Sequence, residues 1–328
     1  MHVGVRADGR KDRSLRALNY FNRYTLSIGI LLAVVVLSPG PGASRGGAAL
    51  HDFAHAPAFA CVTLLFLSLF KRRGRGTLAR QYVQAVALAV LLGLATEIVQ
   101  RLTGGDSSWL DLKSDTIGAF AACGLFAGVD IRIARRALRA SLVVAGSALL
   151  VVHSVQFARV GLAYVHRNQE FPVLFDAKDP RPDRFLRPTN SEIGYSSLPP
   201  DLAQSPGEVG LHVRLSNGPW PGIAFEEPYS DWSRHERLMV DIANPGDATI
   251  DLVLRVHDRA HDWKFDDRFN RNLRILPHTR TTFAIPLADI ERAPATRRLD
   301  LRAIADVRLF AGEIRPDRSV FVSRVWLE

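Results

Sequence analysis

The sequence predicts a multi-domain protein: an α-helical polytopic membrane bundle of five transmembrane helices followed by an all-β sandwich or jelly-roll domain. Two observations carry this. Up to about residue 163, apolar spans alternate with short basic clusters; from about residue 171, apolar residues recur at every second position. Whole-chain figures hide the change, because 328 residues with 47% hydrophobic, 23% charged and a mean hydropathy of +0.03 read as an ordinary soluble chain. A shift of composition this sharp marks a domain boundary.

Residues 1–20 form a basic N-terminus. A membrane-spanning helix needs roughly 20 mostly apolar residues, and five segments supply them. The first runs from Phe21 to Ser38, the second from Leu50 to Phe70, the third from Gln81 to Leu102 and the fourth from Leu112 to Ile131. Together they make a four-helix domain over 21–137, and a fifth helix follows over 138–163. The first span has the basic flank of a signal peptide, but that flank is long, so it is read as an uncleaved anchor.

Orientation follows from the loops. Lys and Arg crowd the N-terminus, the turn at Lys71-Arg72-Arg73 and the turn from Arg132 to Arg139, whereas the loops 39–49 and 103–111 hold one Arg and no Lys. Basic loops stay cytoplasmic. The N-terminus is therefore expected inside a bacterial inner membrane and the C-terminal half on its periplasmic or extracellular side. The net charge of +9 is spent on topology rather than on a phosphate-binding face, so no nucleic-acid partner is expected. Both cysteines, Cys61 and Cys123, sit inside apolar spans, and the exported half has none.

Polar residues gather at the outer ends of these spans. His51, Asp52 and His55 open the second, Glu97, Gln100 and Arg101 close the third, and Asp111 and Asp115 open the fourth. Residues four apart share a helix face, so three helix ends can aim carboxylates, imidazoles and a guanidinium at one pocket. Ionisable groups at such depth are costly and usually functional. Glu97, His55 and Asp52 are the candidate acid–base residues; Arg101, Gln100, Asp111 and Asp115 are the candidates for holding a polar substrate. Asp111 and Asp115 also suit a helix N-terminus for purely structural reasons. His51-x-x-x-His55 offers metal-ligand types, but no Glu stands between the histidines as in a zincin helix. No metal and no cofactor are expected.

The run Glu97-x-x-Gln100, then Asp111-x-x-x-Asp115-x-x-Gly118 with small residues on to Gly124 and Gly128, resembles the VanZ-like membrane family, as does the Asp52…His55…Phe59 helix before it. The resemblance covers about residues 20–135. It implies an envelope role, possible involvement in glycopeptide-antibiotic resistance, and no settled reaction. Phe53, where the family has Lys, and Asp115, where it commonly has Asn, are departures.

In the exported half, 171–328, Ile250, Leu252, Leu254 and Val256 alternate with Asp251 and Arg255 as in a half-buried strand. Similar runs are Val209 to Leu215, Gly222 to Phe225, Arg237 to Ile242, Arg280 to Ile285, Ile304 to Phe310 and Val320 to Leu327. Seven or eight short strands separated by turns such as Asn244-Pro-Gly-Asp247 indicate a sandwich. The segment from His257 to Arg271 is dense in Asp, Arg, His and aromatic residues, the chemistry that stacks on and hydrogen-bonds sugars. His257, Asp258, Trp263, Arg268 and Asn270 are the candidate glycan ligands; equally, Trp263, Phe265 and Phe269 fit one buried face. The arrangement is similar to galactose-binding-like, carbohydrate-binding-module sandwiches. Three functional readings follow: an envelope protein binding a glycan, an intramembrane enzyme acting on a lipid-linked sugar, and a scaffold that recruits a protein partner.

Overall fold

The computed structural model describes residues 30, 44–102, 108–179, 181, 185–312 and 318–328. The chain forms two compact units, Met1–Gly161 and Leu162–Glu328. The expected first span, Phe21 to Ser38, lies outside the described residues apart from Ile30.

The first unit contains α1 (Arg45–Arg73), α2 (Leu78–Leu102), α3 (Trp109–Val129) and most of α4 (Arg136–Glu170). Ser44 caps α1, its hydroxyl accepting from the Gly47 N–H at 3.0 Å, and Gly74 ends it in the left-handed conformation at φ 63°. Where the sequence predicts five spans, three described helices are long and apolar enough to cross a membrane: α1, α2 and α4. The helix α3 is not among them, because Asp111, Lys113 and Asp115 occupy its first two turns.

Packing in this unit uses small residues. The buried face of α2 is Gln81, Ala85, Ala89, Gly93 and Glu97, one residue per turn. A Cβ at Gly93 would stand 2.7 Å from Asp115 Oδ2, and one at Gly118 would overlap the Ala56 carbonyl. Meanwhile Leu91, Val99, Val144, Val151 and Val152 are exposed. Large apolar residues outward and small ones inward is the pattern of helices packed in lipid, where close backbone approach rather than hydrophobic burial drives association. At the end where α1 meets α2, Asp130 is fully buried, held by the Arg132 guanidinium at 2.7 Å and with Lys71 at 3.6 Å.

Among the described residues the second unit is a sandwich of eleven strands, where the sequence indicates seven or eight. One sheet has the order β3 (Ser191–Ser197), β4 (Val209–Leu215), β11 (Arg318–Leu327), β6 (Arg237–Asn244), β9 (Thr279–Pro286), with β1 (Val173–Asp176) also pairing β11. The other has the order β2 (Leu186–Thr189), β5 (Gly222–Glu226), β10 (Ile304–Ala311), β7 (Ile250–Asp258), β8 (Phe269–Ile275). Every pairing is antiparallel. Between the sheets lies one apolar core that includes Phe175, Trp232, Leu252, Leu254, Val307 and Val322. The predicted turn at Asn244 works through its side chain, which donates to the Ala248 carbonyl at 2.9 Å and accepts from the Gly246 N–H at 3.0 Å.

Candidate functional site

Two polar constellations stand out, one in each unit. In the helical unit, His55 Nδ1 lies 2.9 Å from Asp115 Oδ1, and His55 Nε2 lies 3.8 Å from Asp111 Oδ1. Glu97 accepts the Ser108 N–H at 2.8 Å, which ties the end of α2 to the start of α3. His55, Glu97, Asp111 and Asp115 are all at least nine-tenths buried. His55 Nε2, Glu97 Oε1, Asp111 Oδ1 and Asp115 Oδ2 have no hydrogen-bond partner among the described residues. Four of the expected residues are thus brought together. Gln100 is half-buried, and two residues stay out. Asp52 is exposed and lies 3.9 Å from His51. Arg101, expected to help hold substrate, is exposed. The Ser108–Glu97 bond sets the start of α3 level with Glu97, so a residue one turn of about 5.4 Å further along α2 overshoots it.

In the sandwich, the open face of the second sheet carries the other constellation. Along β7 and β10 the residues turned away from the core are Val253, Arg255 and His257, and Asp306, Arg308 and Phe310. Register places Arg187, Ala224, Arg308, Arg255 and Asn270 side by side across all five strands. Like charges directly opposite on neighbouring strands are destabilising, yet Arg308 faces Arg255. Among the described residues, neither Arg255 nor Arg268 meets a carboxylate within ion-pair distance, while Asp306 is taken by Arg308 Nε. Arg255 instead contacts His261 Nε2 at 3.1 Å. Buried atoms without a partner cluster here too: Arg255 Nε, His257 Nδ1, Arg268 Nε, Asn270 Oδ1 and Asp306 Oδ1.

The electrostatics record this crowding. Burial, with Arg268 and Arg308 close by, lowers the Arg255 guanidinium to about 10. Burial and then Arg255 push the His257 imidazole down to about 3, so it is neutral at physiological pH. Burial raises the Asp306 carboxyl, although Arg308 opposes it.

Aromatic rings flank the row. Trp263 is 73% exposed, Phe265 72% and Trp220 61%, so Trp263 and Phe265 are not core residues, unlike Phe269. Trp263 lies against His257 and His261 with ring centroids 5.9 and 5.5 Å away, and Trp220 meets Phe310 edge-on at 5.7 Å. Both tryptophans hold left-handed backbones, at φ 69° and φ 55°. For a bulky side chain this is a strained conformation, of a kind that clusters at functional sites. Residues 306 and 310 of β10 set the two ends about 13 Å apart along the strand, at roughly 3.3 Å per residue.

Of the five expected glycan ligands, His257, Trp263, Arg268 and Asn270 belong to this face. Asp258 does not. Its carboxylate is buried and bound by Arg297 at 2.5 and 2.8 Å and by the Asp300 N–H at 2.8 Å. Burial opposes its ionisation, but these donors outweigh burial and hold the acid below the usual carboxylate range. Arg297 also bridges to Asp267, so Asp258 locks the loop between β7 and β8. Sequence reasoning missed Arg255, Asp306, Arg308 and Trp220. For the three charged residues the signal was a charge at outward positions of two strands; what was lacking was the pairing of β7 with β10.

No protein-family model and no curated protein matches the sequence. Among solved structures, the chain is similar to an exo-beta-agarase at 18% identity, with 48% of this chain and 24% of that one covered and a TM-score of 0.39. It is similar to a family 11 carbohydrate-binding module from Clostridium thermocellum, in complex with a β-1,3-1,4-mixed-linked tetrasaccharide, at 13% identity, covering 47% of this chain and 92% of that one with a TM-score of 0.36. A CBM22-1 xylan-binding domain from Paenibacillus barcinonensis matches at 8% identity over 47% of this chain and 94% of its own, with a TM-score of 0.33. The chain thus spans about a quarter of the agarase.

Proposed function

We propose that this is an integral membrane protein of the bacterial envelope whose sandwich, displayed outside the inner membrane, binds a glycan that carries acidic groups. The observation that carries the reading is the row Arg308–Arg255, with Arg268 beside it, in which neither Arg255 nor Arg268 meets a carboxylate within ion-pair distance among the described residues, flanked by exposed tryptophans. Trp rings offer flat apolar faces to sugar C–H groups, and guanidinium forks bind carboxylate or sulfate in two-point contact. Together they select an acidic sugar over a neutral one. The membrane part rests on α1, α2 and α4, whose large apolar residues face outward, and on the basic loops that set the orientation.

The test uses the full chain in nanodiscs against panels of neutral and uronate-bearing oligosaccharides. Wild type retains the acidic members. Trp263→Ala weakens retention about tenfold, as loss of roughly 1.4 kcal/mol of stacking requires, and Arg255→Ala removes the preference for acidic over neutral sugars. Absence of retention of any glycan rejects the reading in favour of the scaffold.

A second reading concerns the helices. The order of Glu97, Gln100, Asp111, Asp115 and Gly118, and the convergence of Glu97 with Asp111, Asp115 and His55, support a VanZ-like role, with glycopeptide resistance or lipid-linked sugar chemistry among its forms. A deletion strain complemented with Glu97→Ala at matched abundance tests it: growth under a glycopeptide equal to wild type removes the helical cluster from function.

A further inference from the structure

Three buried carboxylates and one histidine meet at the end of the helical bundle, and the charges do not balance. Asp115 is fully buried, Asp111 is 4% exposed and Glu97 8% exposed. Among the described residues no Lys or Arg forms an ion pair with any of them, and Arg101 and Lys113 are exposed. Unpaired buried carboxylates are expensive; they take up a proton or hold a cation.

The histidine decides between those outcomes. A carboxylate oxygen of Asp115 accepts from His55 Nδ1, so that nitrogen carries the proton and Nε2 presents a lone pair. That lone pair is fully buried, has no partner among the described residues and faces Asp111 Oδ1, itself without a partner. His51, one turn before His55 on α1, brings its ring to 5.2 Å from the His55 ring. One ligand atom each from His51, His55 and Asp111 lie within 4.8 Å of one another. A carboxylate behind a histidine, fixing its tautomer so that the far nitrogen can ligate, is the supporting arrangement that metal-bound histidines use.

We infer that His51, His55 and Asp111 bind a divalent transition-metal ion such as Zn2+, with Asp115 positioning His55. Two nitrogens and one carboxylate oxygen are ligand types that suit zinc, and a three-residue set leaves a position for an outside ligand. The Glu that a zincin helix carries between its histidines is a general base and not a ligand, so its absence between His51 and His55 leaves the ligand set intact. This inference is independent of the glycan reading, which concerns the other unit.

The test is metal binding by the full chain, purified without a histidine tag in detergent, stripped with chelator and titrated with Zn2+ and, for its visible spectrum, Co2+. Wild type takes up one ion per chain, and Co2+ gives the absorption bands of a nitrogen- and oxygen-ligated low-coordinate site. Asp111→Asn abolishes stoichiometric uptake. Asp115→Asn weakens it by about 10- to 100-fold, the usual effect of losing a supporting carboxylate. Because His55→Ala risks misfolding a packed bundle, the half-buried His51→Ala is the second ligand variant, and it too loses uptake while keeping the wild-type gel-filtration profile. His261→Ala is the control. Its residue lies in a His261, Asp262, Asp267 group in the sandwich, where Arg297 occupies Asp267, and uptake stays unchanged. Absence of stoichiometric uptake by wild type overturns the inference and leaves the carboxylates as protonated acids. Uptake that survives His51→Ala and Asp111→Asn, or that disappears with His261→Ala, overturns it equally.

Discussion

His257 shows how one side chain makes the sandwich sensitive to acid. Its folded-state imidazole titrates near 3 and its unfolded one near 6.5, so the unfolded chain binds more protons across that window. Stability therefore falls as pH drops from about 6.5 towards 3, by at most roughly 1.4 kcal/mol per pH unit for one group. His212, lowered by burial and by Arg214, adds to the slope. Below about pH 4 a second loss begins, because Asp258 and Asp267, both held low beside Arg297, then surrender their charge. His257→Asn is expected to remove about half of the slope between pH 6.5 and pH 4.5. Hydrogen exchange of the β6 and β11 amides in the full chain, corrected for intrinsic rate, measures it; an unchanged slope shows that His257 is as solvated as in the unfolded chain.

Among elements, the strands pinned from both sides were legible in the sequence, as was the edge strand β9, whereas the other edge strands were not. Strands β4, β6, β7, β10 and β11 pair on both edges and read out as alternating runs. Strands β2, β3 and β8 are sheet edges. β2 carries Pro188, β3 holds only Ile193 and Tyr195 as large apolar residues, and Asn270, Arg271 and Asn272 follow Phe269 in β8, so none reads as a sustained apolar run of period two. The helix-end cluster was legible because residues four apart must share a face. The failure of Arg101 to join it was not, since spacing says nothing of where the neighbouring helix starts. The small-residue seam yields a prediction at this scale. Gly118→Val forces a side chain into the Ala56 backbone and parts α1 from α3, so the bundle unfolds at distinctly lower temperature in detergent. Gly161→Val, where no atom lies within 4 Å of a new Cβ, is the matched control and leaves the melting temperature nearly unchanged.

For the whole molecule, the proposed topology makes opposite demands on two short stretches of chain. In a background where Cys61 and Cys123 are alanine, Arg73→Cys in the turn after α1 is expected to react with a membrane-impermeant maleimide only after lysis. Ser196→Cys on the sandwich reacts in spheroplasts. The reverse pattern inverts the protein and places the proposed sugar-binding face in the cytoplasm, where envelope glycans are out of reach. The compositional split between the halves is what the proposed division of solvents requires. One half buries small residues and turns Leu and Val outward, and the other packs Leu, Ile and Val between two sheets.

The left-handed backbones of Trp220 and Trp263 carry an evolutionary consequence. Glycine at either position would relax the chain and leave the domain at least as robust to unfolding, so selection for robustness alone would erase both rings. If both rings serve the proposed glycan surface, these two positions are where decay to Gly or Asn is expected first in a lineage that no longer binds the ligand.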